Sequence, residues 1–254
     1  MSTVLRRTDG RTPGVRPGKL ARTVAGSRGR SVLHGIVVTL MFATAAQAQQ
    51  ADPNRRSYSP LDEMTPPGVA GNWSVILGRS SPDYFQPVRI LLPGDATVTL
   101  FDRSSGRPVD IAAPAQVGLI VGHTYRIRVS GMAEFPGIEL YPTVEVLDRL
   151  HPPVGKQQEF PVPIELTNDE INLALEGNLI TKVIYLERPQ SSVPSRLVGP
   201  LPTQTVGSPV NLFAEANQRG RPMLILRLGG RLPDAFGNDP AFFGTGGPFS
   251  VSGN

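Results

Sequence analysis

The feature that most constrains the fold of this chain is an alternating apolar and polar pattern at residues 121–151. Apolar residues recur at every second position on either side of a loop, namely Tyr125, Ile127 and Val129 before it and Ile138, Leu140, Val144 and Val146 after it. Successive side chains of a strand point to opposite faces, so this pattern predicts a long β-hairpin. One face of the hairpin should pack on a core and the other should meet water.

Charges predict the pairing register of this hairpin. If its loop is centred between residues 133 and 134, Arg128 lies opposite Glu139 and Ile127 lies opposite Leu140. Opposite charges then meet on the wet face, and apolar side chains meet on the core face.

The first 48 residues, which we call the leader, have the pattern of a secretory signal peptide. Eight basic residues within the first thirty precede an apolar run from residue 32 to residue 46, and Ala46-Gln47-Ala48 follows. A run of about 15 residues is shorter than the roughly 20 that a membrane-spanning helix needs, and small-x-small is a signal-peptidase pattern. We therefore expect cleavage before Gln49, with an uncleaved membrane anchor as the alternative.

Removal of the leader changes the net charge of the chain. It leaves 17 basic and 20 acidic residues, a net charge of −3 in place of +4. The basic excess therefore belongs to the leader, and we expect no nucleic-acid partner. The sequence contains no cysteine. An exported chain without disulfides or thiolate metal sites favours a bacterial periplasm or a bacterial secreted location.

The part that follows the leader begins with a polar, proline-bearing stretch at residues 49–70, which we interpret as a flexible tether. Residues 71–150 contain short apolar segments separated by Pro, Gly, Asp and Ser turns. This spacing predicts an antiparallel β-sandwich. Besides the hairpin, its strands are predicted at residues 73–77, 88–92, 96–101 and 117–121.

Residues 151–232 are predicted to extend the same domain by two helix-strand units. Prolines alternate with apolar residues at 160–166, which indicates an edge strand because proline cannot donate to a ladder. Thr167 and Glu170 have the spacing of a capping box at the start of a helix. The apolar segment at 179–186 then predicts a central strand.

The second unit is predicted to begin with Ser208 as the N-cap of a helix and to end with a strand at 223–228. The predicted fold class is therefore mainly β, an antiparallel β-sandwich with two short helix-strand additions. A glycine-rich tail at 233–254 follows. A simply disordered tail rarely contains several large apolar residues, and this one contains Phe236, Phe242, Phe243 and Phe249.

Two segments carry a resemblance to known proteins. The sequence at 96–111 contains an Asp-x-x-x-Gly turn after a strand, and the sequence at 117–131 contains a Gly-x-x-Tyr strand. This order resembles the prealbumin-like and carboxypeptidase-regulatory-like β-sandwiches. The segment at 135–153 is similar to stretches of uncharacterised bacterial secreted proteins. The resemblance covers roughly residues 96–153, implies a β-sandwich and brings no catalytic residues.

A catalytic or metal site would have to use the two histidines that follow the leader, His123 and His151. Neither has a partner at motif spacing, and the sequence lacks nucleophile-elbow, His-Glu-x-x-His, phosphate-loop and EF-hand patterns. Glu139 and Glu145 share a predicted strand face, yet six residues of strand separate them by roughly 20 Å, beyond the ~5–10 Å of paired catalytic carboxylates. We predict no catalytic residue, no metal and no cofactor. A hydrolase that uses either histidine is the least favoured alternative.

Aromatic and arginine side chains are typical anchors of protein interfaces. The candidates here are Arg126, Arg128 and Tyr141 on the polar face of the hairpin and Phe242 and Phe243 in the tail. We expect these five residues to bind a partner. For the hairpin residues the alternative is an ordinary solvated face, and for the two phenylalanines the alternative is that the tail docks on its own domain.

The predicted function is a non-enzymatic structural or protein-interaction module of the bacterial cell envelope, secreted or periplasmic. Its partner would be an envelope protein or a glycan, and it would contact a membrane only through an uncleaved leader. A carbohydrate-binding module is the alternative. It would need an aromatic platform, for which the candidates are Trp73, Tyr84, Phe85 and Tyr141.

The leader gives the first testable prediction. Protein recovered from the envelope or the medium should begin at Gln49, because Ala46-Gln47-Ala48 closes the apolar run. Intact-mass measurement checks this. A mass that includes residues 1–48 would contradict cleavage and favour the membrane anchor.

Overall fold

The computed structural model describes residues 2–9, 61–62, 64–101, 107–190, 199–207, 210–234, 240–243 and 246–251. The strands of these residues are β1 Ser2–Asp9, β2 Phe85–Leu91, β3 Thr97–Phe101, β4 Pro108–Ala112, β5 Ala115–Ile120, β6 Thr124–Ser130, β7 Thr143–Val146, β8 Val162–Glu165, β9 Leu179–Glu187, β10 Thr203–Thr205, β11 Gly220–Leu228 and β12 Phe249–Val251. The helices are α1 Val69–Ile76, α2 Asn168–Leu175, α3 Leu212–Arg219 and α4 Pro240–Phe243, with a short 3-10 helix at Gln157–Glu159.

The strands form two sheets, which confirms the predicted mainly β, sandwich-like fold. The large sheet has the order β10-β1-β9-β11-β7-β6-β3-β4, and the small sheet has the order β12-β5-β2-β8. Most neighbours are antiparallel. Each sheet contains one parallel pair, β1 with β10 and β2 with β8, so the sheets are mixed rather than wholly antiparallel.

The main core lies between the two sheets and draws alternate residues from both. The small sheet contributes Val88, Ile90, Val117, Leu119, Val162 and Ile164, and the large sheet contributes Val98, Leu100, Ile127, Val129, Val144, Val146, Ile184, Leu224 and Leu226. A second cluster forms where α3 covers the opposite face of the large sheet. Its members include Leu5, Val183, Tyr185, Leu212, Phe213, Ala216 and Ile225. Burial of these two sets of side chains is the main favourable contribution to the free energy of folding.

The hairpin is present, but its register differs from the prediction by two residues. Tyr125 lies opposite Val144, and an isolated bridge pairs Val129 with Leu140. Two consecutive turns in the loop, at Met132–Phe135 and Phe135–Ile138, move the centre of the loop towards the carboxyl end. A shift of two leaves alternate side chains on the same sides of the sheet, and Ile127 and Leu140 are both 2% exposed.

The strand predicted at residues 73–77 is wrong, because this segment is helix α1. Ser74 and Gly71 lie on the buried face of the helix. A Cβ at Gly71 would lie 2.7 Å from the carbonyl oxygen of Gly122, so only glycine allows this approach. The opposite face leaves Trp73 38% and Ile76 72% exposed.

The first helix-strand unit follows the predicted order. Thr167 accepts a hydrogen bond from the backbone N–H of Glu170, and the Glu170 carboxylate accepts one from the backbone N–H of Thr167 at 3.0 Å. The capping box is therefore confirmed. Strand β8 lies at the edge of the small sheet and β9 lies inside the large sheet, both as predicted.

The second helix begins later than predicted. Asn211 is its N-cap and accepts hydrogen bonds from the backbone N–H groups of Phe213 and Ala214. Ser208, the predicted cap, lies outside the described residues. Strand β11 then pairs with both β9 and β7. The predicted extension thus supplies two central strands of the large sheet.

Both ends of the chain contribute to the sheets. From the leader, Ser2–Asp9 form β1, and the rest of it lies outside the described residues. From the tail, β12 pairs with β5. The predicted tether at 49–70 is described only near its end, where Leu61 packs against the second cluster. Cleavage before Gln49 stays a prediction, and it would remove β1.

The capping box gives a stability prediction. Thr167→Ala should lower the free energy of unfolding by about 1 kcal/mol, because it leaves a backbone N–H of α2 without its acceptor. Urea melts should show a lower midpoint at equal slope. Asn172→Ala, on the exposed side of the same helix, is the matched control and should be neutral or slightly stabilising. Equal midpoints for Thr167→Ala and the wild type would contradict the prediction.

Candidate functional site

Four of the five predicted binding residues meet in one place. The ring of Tyr141 lies 5.3 Å from the ring of Phe242 and 6.2 Å from the ring of Phe243, and the two phenylalanine rings are 5.1 Å apart. The Arg126 guanidinium lies over Phe242, 4.2 Å from the ring centroid. We call these four residues the aromatic cluster.

The aromatic cluster forms because the tail packs on the hairpin. Helix α4 carries Phe242 and Phe243 against β6, which carries Arg126. Phe242 is 2% and Tyr141 is 9% exposed. The near-perpendicular ring pairs and the cation over a ring face are the favourable geometries of such groups. The tail is therefore docked here, and Phe242 and Tyr141 are buried rather than open to a partner.

Arg128, the fifth predicted residue, joins a polar network beside the cluster. Its guanidinium lies 3.5 Å from Glu139 and 3.7 Å from Asp110, and it donates a hydrogen bond to Thr99 at 3.1 Å. The Tyr141 hydroxyl donates to Glu139 at 2.6 Å. Burial first, and then the hydrogen bond to Glu139 and its negative charge, raise the pKa of Tyr141 to about 12.

A surface groove of about 370 Å³ adjoins this network at Glu139. Its walls come from the hairpin loop, the end of α2 and the segment after β11, and they are lined by Gly137, Ile138, Glu139, Leu140, Leu175, Gly229, Gly230 and Leu232. Leu175 is 43% and Leu232 is 62% exposed. Glu139 is the only titratable residue of this lining. The Arg231 guanidinium lies 5.6 Å from the ring centroid of Phe242, so the cluster and the groove share one surface region.

Glu145 does not belong to this surface, which corrects its assignment to the wet face of the hairpin. It is fully buried and accepts hydrogen bonds from the backbone N–H groups of Gly68 at 3.0 Å and Gly71 at 2.7 Å. Arg227 of β11 donates to its second oxygen at 2.9 Å. These contacts place a negative charge at the amino end of α1, where the helix dipole favours it. Glu145 is therefore a structural group.

The histidines and the remaining aromatic candidates lie away from the groove lining. The His123 ring is 6.3 Å from the ring of Tyr125, and burial lowers the pKa of His123. His151 is exposed in a loop. Within the described ranges, no three His, Cys, Asp or Glu side chains are grouped as a metal site would require.

The carbohydrate platform predicted from sequence does not assemble. Trp73 lies on α1, whereas the hydroxyl of Tyr84 donates to the carbonyl of Leu150 at 3.1 Å. No ring contact among the described residues joins Trp73, Tyr84 or Phe85 to Tyr141. The candidates are thus dispersed.

Sequence reasoning missed the walls of the groove. Leu175 is the last residue of α2, shortly before Gly177, and Leu232 follows β11 after Gly229-Gly230. An apolar residue near the end of a strand or helix is common, however, and its exposure depends on neighbours that only the fold supplies.

Comparison of the chain with protein-family models, with curated proteins and with solved structures finds no match. The likeness of residues 96–153 to prealbumin-like sandwiches thus remains a resemblance, and its Asp102-to-Gly106 turn lies outside the described residues. None of the described helices has the length and apolar character needed to cross a membrane.

The Tyr141 network gives a pH prediction. A folded-state pKa raised from 10.0 to about 12 means that the folded protein holds this proton more tightly than the unfolded chain. The stability that it contributes is therefore present below pH 10 and is lost as the pH rises towards 12. Ultraviolet titration of tyrosinate, compared with a Tyr141→Phe variant, isolates this group.

Glu139→Gln is the matched variant for the same titration. Because it removes the negative charge beside the hydroxyl, the pKa of Tyr141 should fall while staying above 10, since burial is the larger cause. A Tyr141 midpoint that does not move in Glu139→Gln would contradict the network.

Proposed function

We propose that this protein is a non-enzymatic protein-interaction module of the bacterial cell envelope and that the groove beside the aromatic cluster is its binding surface. The proposal rests on one observation, that the packed aromatic cluster lies beside an open apolar groove. The cluster fixes one wall through Tyr141 and Glu139, and the groove leaves Leu175 and Leu232 exposed. A rigid support beside accessible apolar side chains is typical of interaction sites.

The lining of the groove indicates the chemistry of its occupant. The side chains of Ile138, Leu175 and Leu232 offer contacts to an aliphatic side chain, and Gly137, Gly229 and Gly230 allow close backbone approach. Glu139 adds hydrogen-bond acceptors, and its side chain is 44% exposed. The occupant is a protein segment in which an aliphatic residue lies next to an arginine or lysine.

The same lining argues against catalysis at the groove. Its one titratable residue, Glu139, already accepts a hydrogen bond from Tyr141 and lies beside Arg128. A hydrolytic site needs a nucleophile or water-activating base together with a second group that orients it. Within the described lining, Glu139 has no second acid or base beside it.

A carbohydrate-binding module is the second candidate, and exposed Trp73 favours it. This ring is 38% exposed on α1, next to Ile76. A flat exposed aromatic ring is a surface on which a sugar can pack. Binding to isolated envelope polysaccharide that is lost in Trp73→Ala, with Met64→Ala as an exposed control, would favour this candidate.

Photo-crosslinking in the native host tests the main proposal. A benzophenone amino acid in place of Leu232 or Leu175 should give an adduct with one protein of the envelope fraction. The same residue in place of Val154, which is 97% exposed, should give none. Adducts of equal yield at all three positions, or no adduct at the two leucines, would contradict a binding groove.

A charge-reversal variant sharpens this experiment. Glu139→Lys should reduce the Leu232 adduct at least several-fold, because it places a cation where the occupant carries one. Glu159→Lys makes the same change of charge at an exposed glutamate, with 58% side-chain exposure, and should leave the yield unchanged. Adducts with polysaccharide instead of protein would support the second candidate.

A further inference from the structure

Strand β1 occupies a slot between two other strands of the large sheet. On one side it forms eight antiparallel residue pairs with β9, from Ser2 opposite Leu186 to Asp9 opposite Leu179. On the other side it forms three parallel pairs with β10. Backbone hydrogen bonds from Val4 to Pro202 and from Val206 to Arg6 continue the second ladder. We call this position, between β9 and β10, the β1 slot.

The β1 slot selects for apolar side chains at two adjacent positions. Val4 is 1% exposed and belongs to the main core between the sheets. Leu5 is 0% exposed and belongs to the second cluster, with Val183 of β9 and Leu212 of α3. Neighbouring side chains of a strand point to opposite faces. The slot therefore buries its occupant on both faces.

The β1 slot also selects for basic residues at the next two positions. Arg6 lies 3.4 Å from Glu170, a carboxylate that is 1% exposed and also pairs with Lys182 at 2.8 Å. The Arg7 guanidinium donates to the backbone carbonyls of Gly207 and Val210. The Glu170 carboxylate and the two backbone carbonyls all lie outside β1, so they can bind the arginines of any strand that fills the slot.

The residues that fill the slot belong to the predicted leader. Cleavage before Gln49 would separate Ser2–Asp9 from the rest of the chain, and without cysteine no disulfide would retain them. The edge of β9 and the buried positions of Val4 and Leu5 would then be empty. Another strand would have to fill them, because unpaired buried backbone groups are costly.

We propose that the β1 slot is a strand-acceptor site, which the chain's own Ser2–Asp9 fills before processing and a partner protein's extended segment fills afterwards. The partner segment carries two adjacent apolar residues followed by two basic residues and runs antiparallel to β9. Main-chain hydrogen bonds supply affinity in strand addition, and side-chain pockets supply specificity. The slot uses none of the groove-lining residues, so failure of this inference leaves the proposed function intact.

The test uses the full chain with its own strand weakened. Leu5→Asp places a carboxylate at a fully buried position, which should expel Ser2–Asp9 from the slot. The probe is a fluorescent peptide, Ser-Thr-Val-Leu-Arg-Arg-Thr-Asp. Its anisotropy should show at least tenfold tighter binding to Leu5→Asp than to the wild-type chain, whose slot is filled. Excess peptide should also raise the melting temperature of Leu5→Asp.

Two controls isolate the slot. Ile127→Ala damages the main core away from the slot, since Ile127 lies on β6, and it should not gain peptide binding. A peptide that carries Asp in place of its leucine should bind neither chain. If Leu5→Asp is unfolded alone, recovery of its folded circular-dichroism spectrum with the intact peptide supports the proposal.

Three outcomes would overturn the proposal. In the first, the peptide binds the wild type, Ile127→Ala and Leu5→Asp with equal affinity. In the second, the peptide raises neither the melting temperature nor the folded signal of Leu5→Asp. In the third, Leu5→Asp forms a dimer that the peptide does not dissociate. The last outcome would mean that a second copy fills the slot.

Discussion

Strand β9 is buried on both faces and requires a hydrogen-bonding neighbour at each edge. Residues 180–185 of this strand are each no more than 2% exposed. Water cannot satisfy their backbone N–H and C=O groups, and each unpaired buried group costs about 1–3 kcal/mol. Strand β11 supplies one edge and β1 supplies the other. The order of the large sheet depends on both edges remaining occupied.

The position of the groove depends on the same strands. Leu175 ends α2, whose capping residue Glu170 pairs with Lys182 of β9. Residues 229–232 continue from β11, which β9 holds in register. Charges buried in the large sheet thus tie the helices to the strands. The desolvation cost of a buried ion pair offsets much of its Coulombic gain, but these pairs fix which helix end faces which strand end.

Sequence patterns predicted which face of a strand is buried better than they predicted which residues of neighbouring strands are paired. Period-two alternation placed Ile127 and Leu140 inward, but it could not distinguish registers that differ by two, because both put the same residues in the core. Helix α1 was missed because its amino end is capped by Glu145, which lies far along the chain. The role of Ser2–Asp9 was missed because the segment forms a strand only beside β9. In the candidate site, the aromatic residues could be identified from the sequence because aromatic side chains are typical interface anchors. The groove could not, because its walls come from three separate segments.

The proposed groove and the proposed strand-acceptor site both depend on pairing at the edge of β9 opposite β11, where β1 lies. Hydrogen exchange of the β9 amides in the full chain measures this pairing. Slow exchange is expected along residues 180–186, both for the amides directed at β11 and for those directed at β1. Fast exchange of the alternate amides directed at β1, at rates like those of the exposed strand β10, would contradict the pairing.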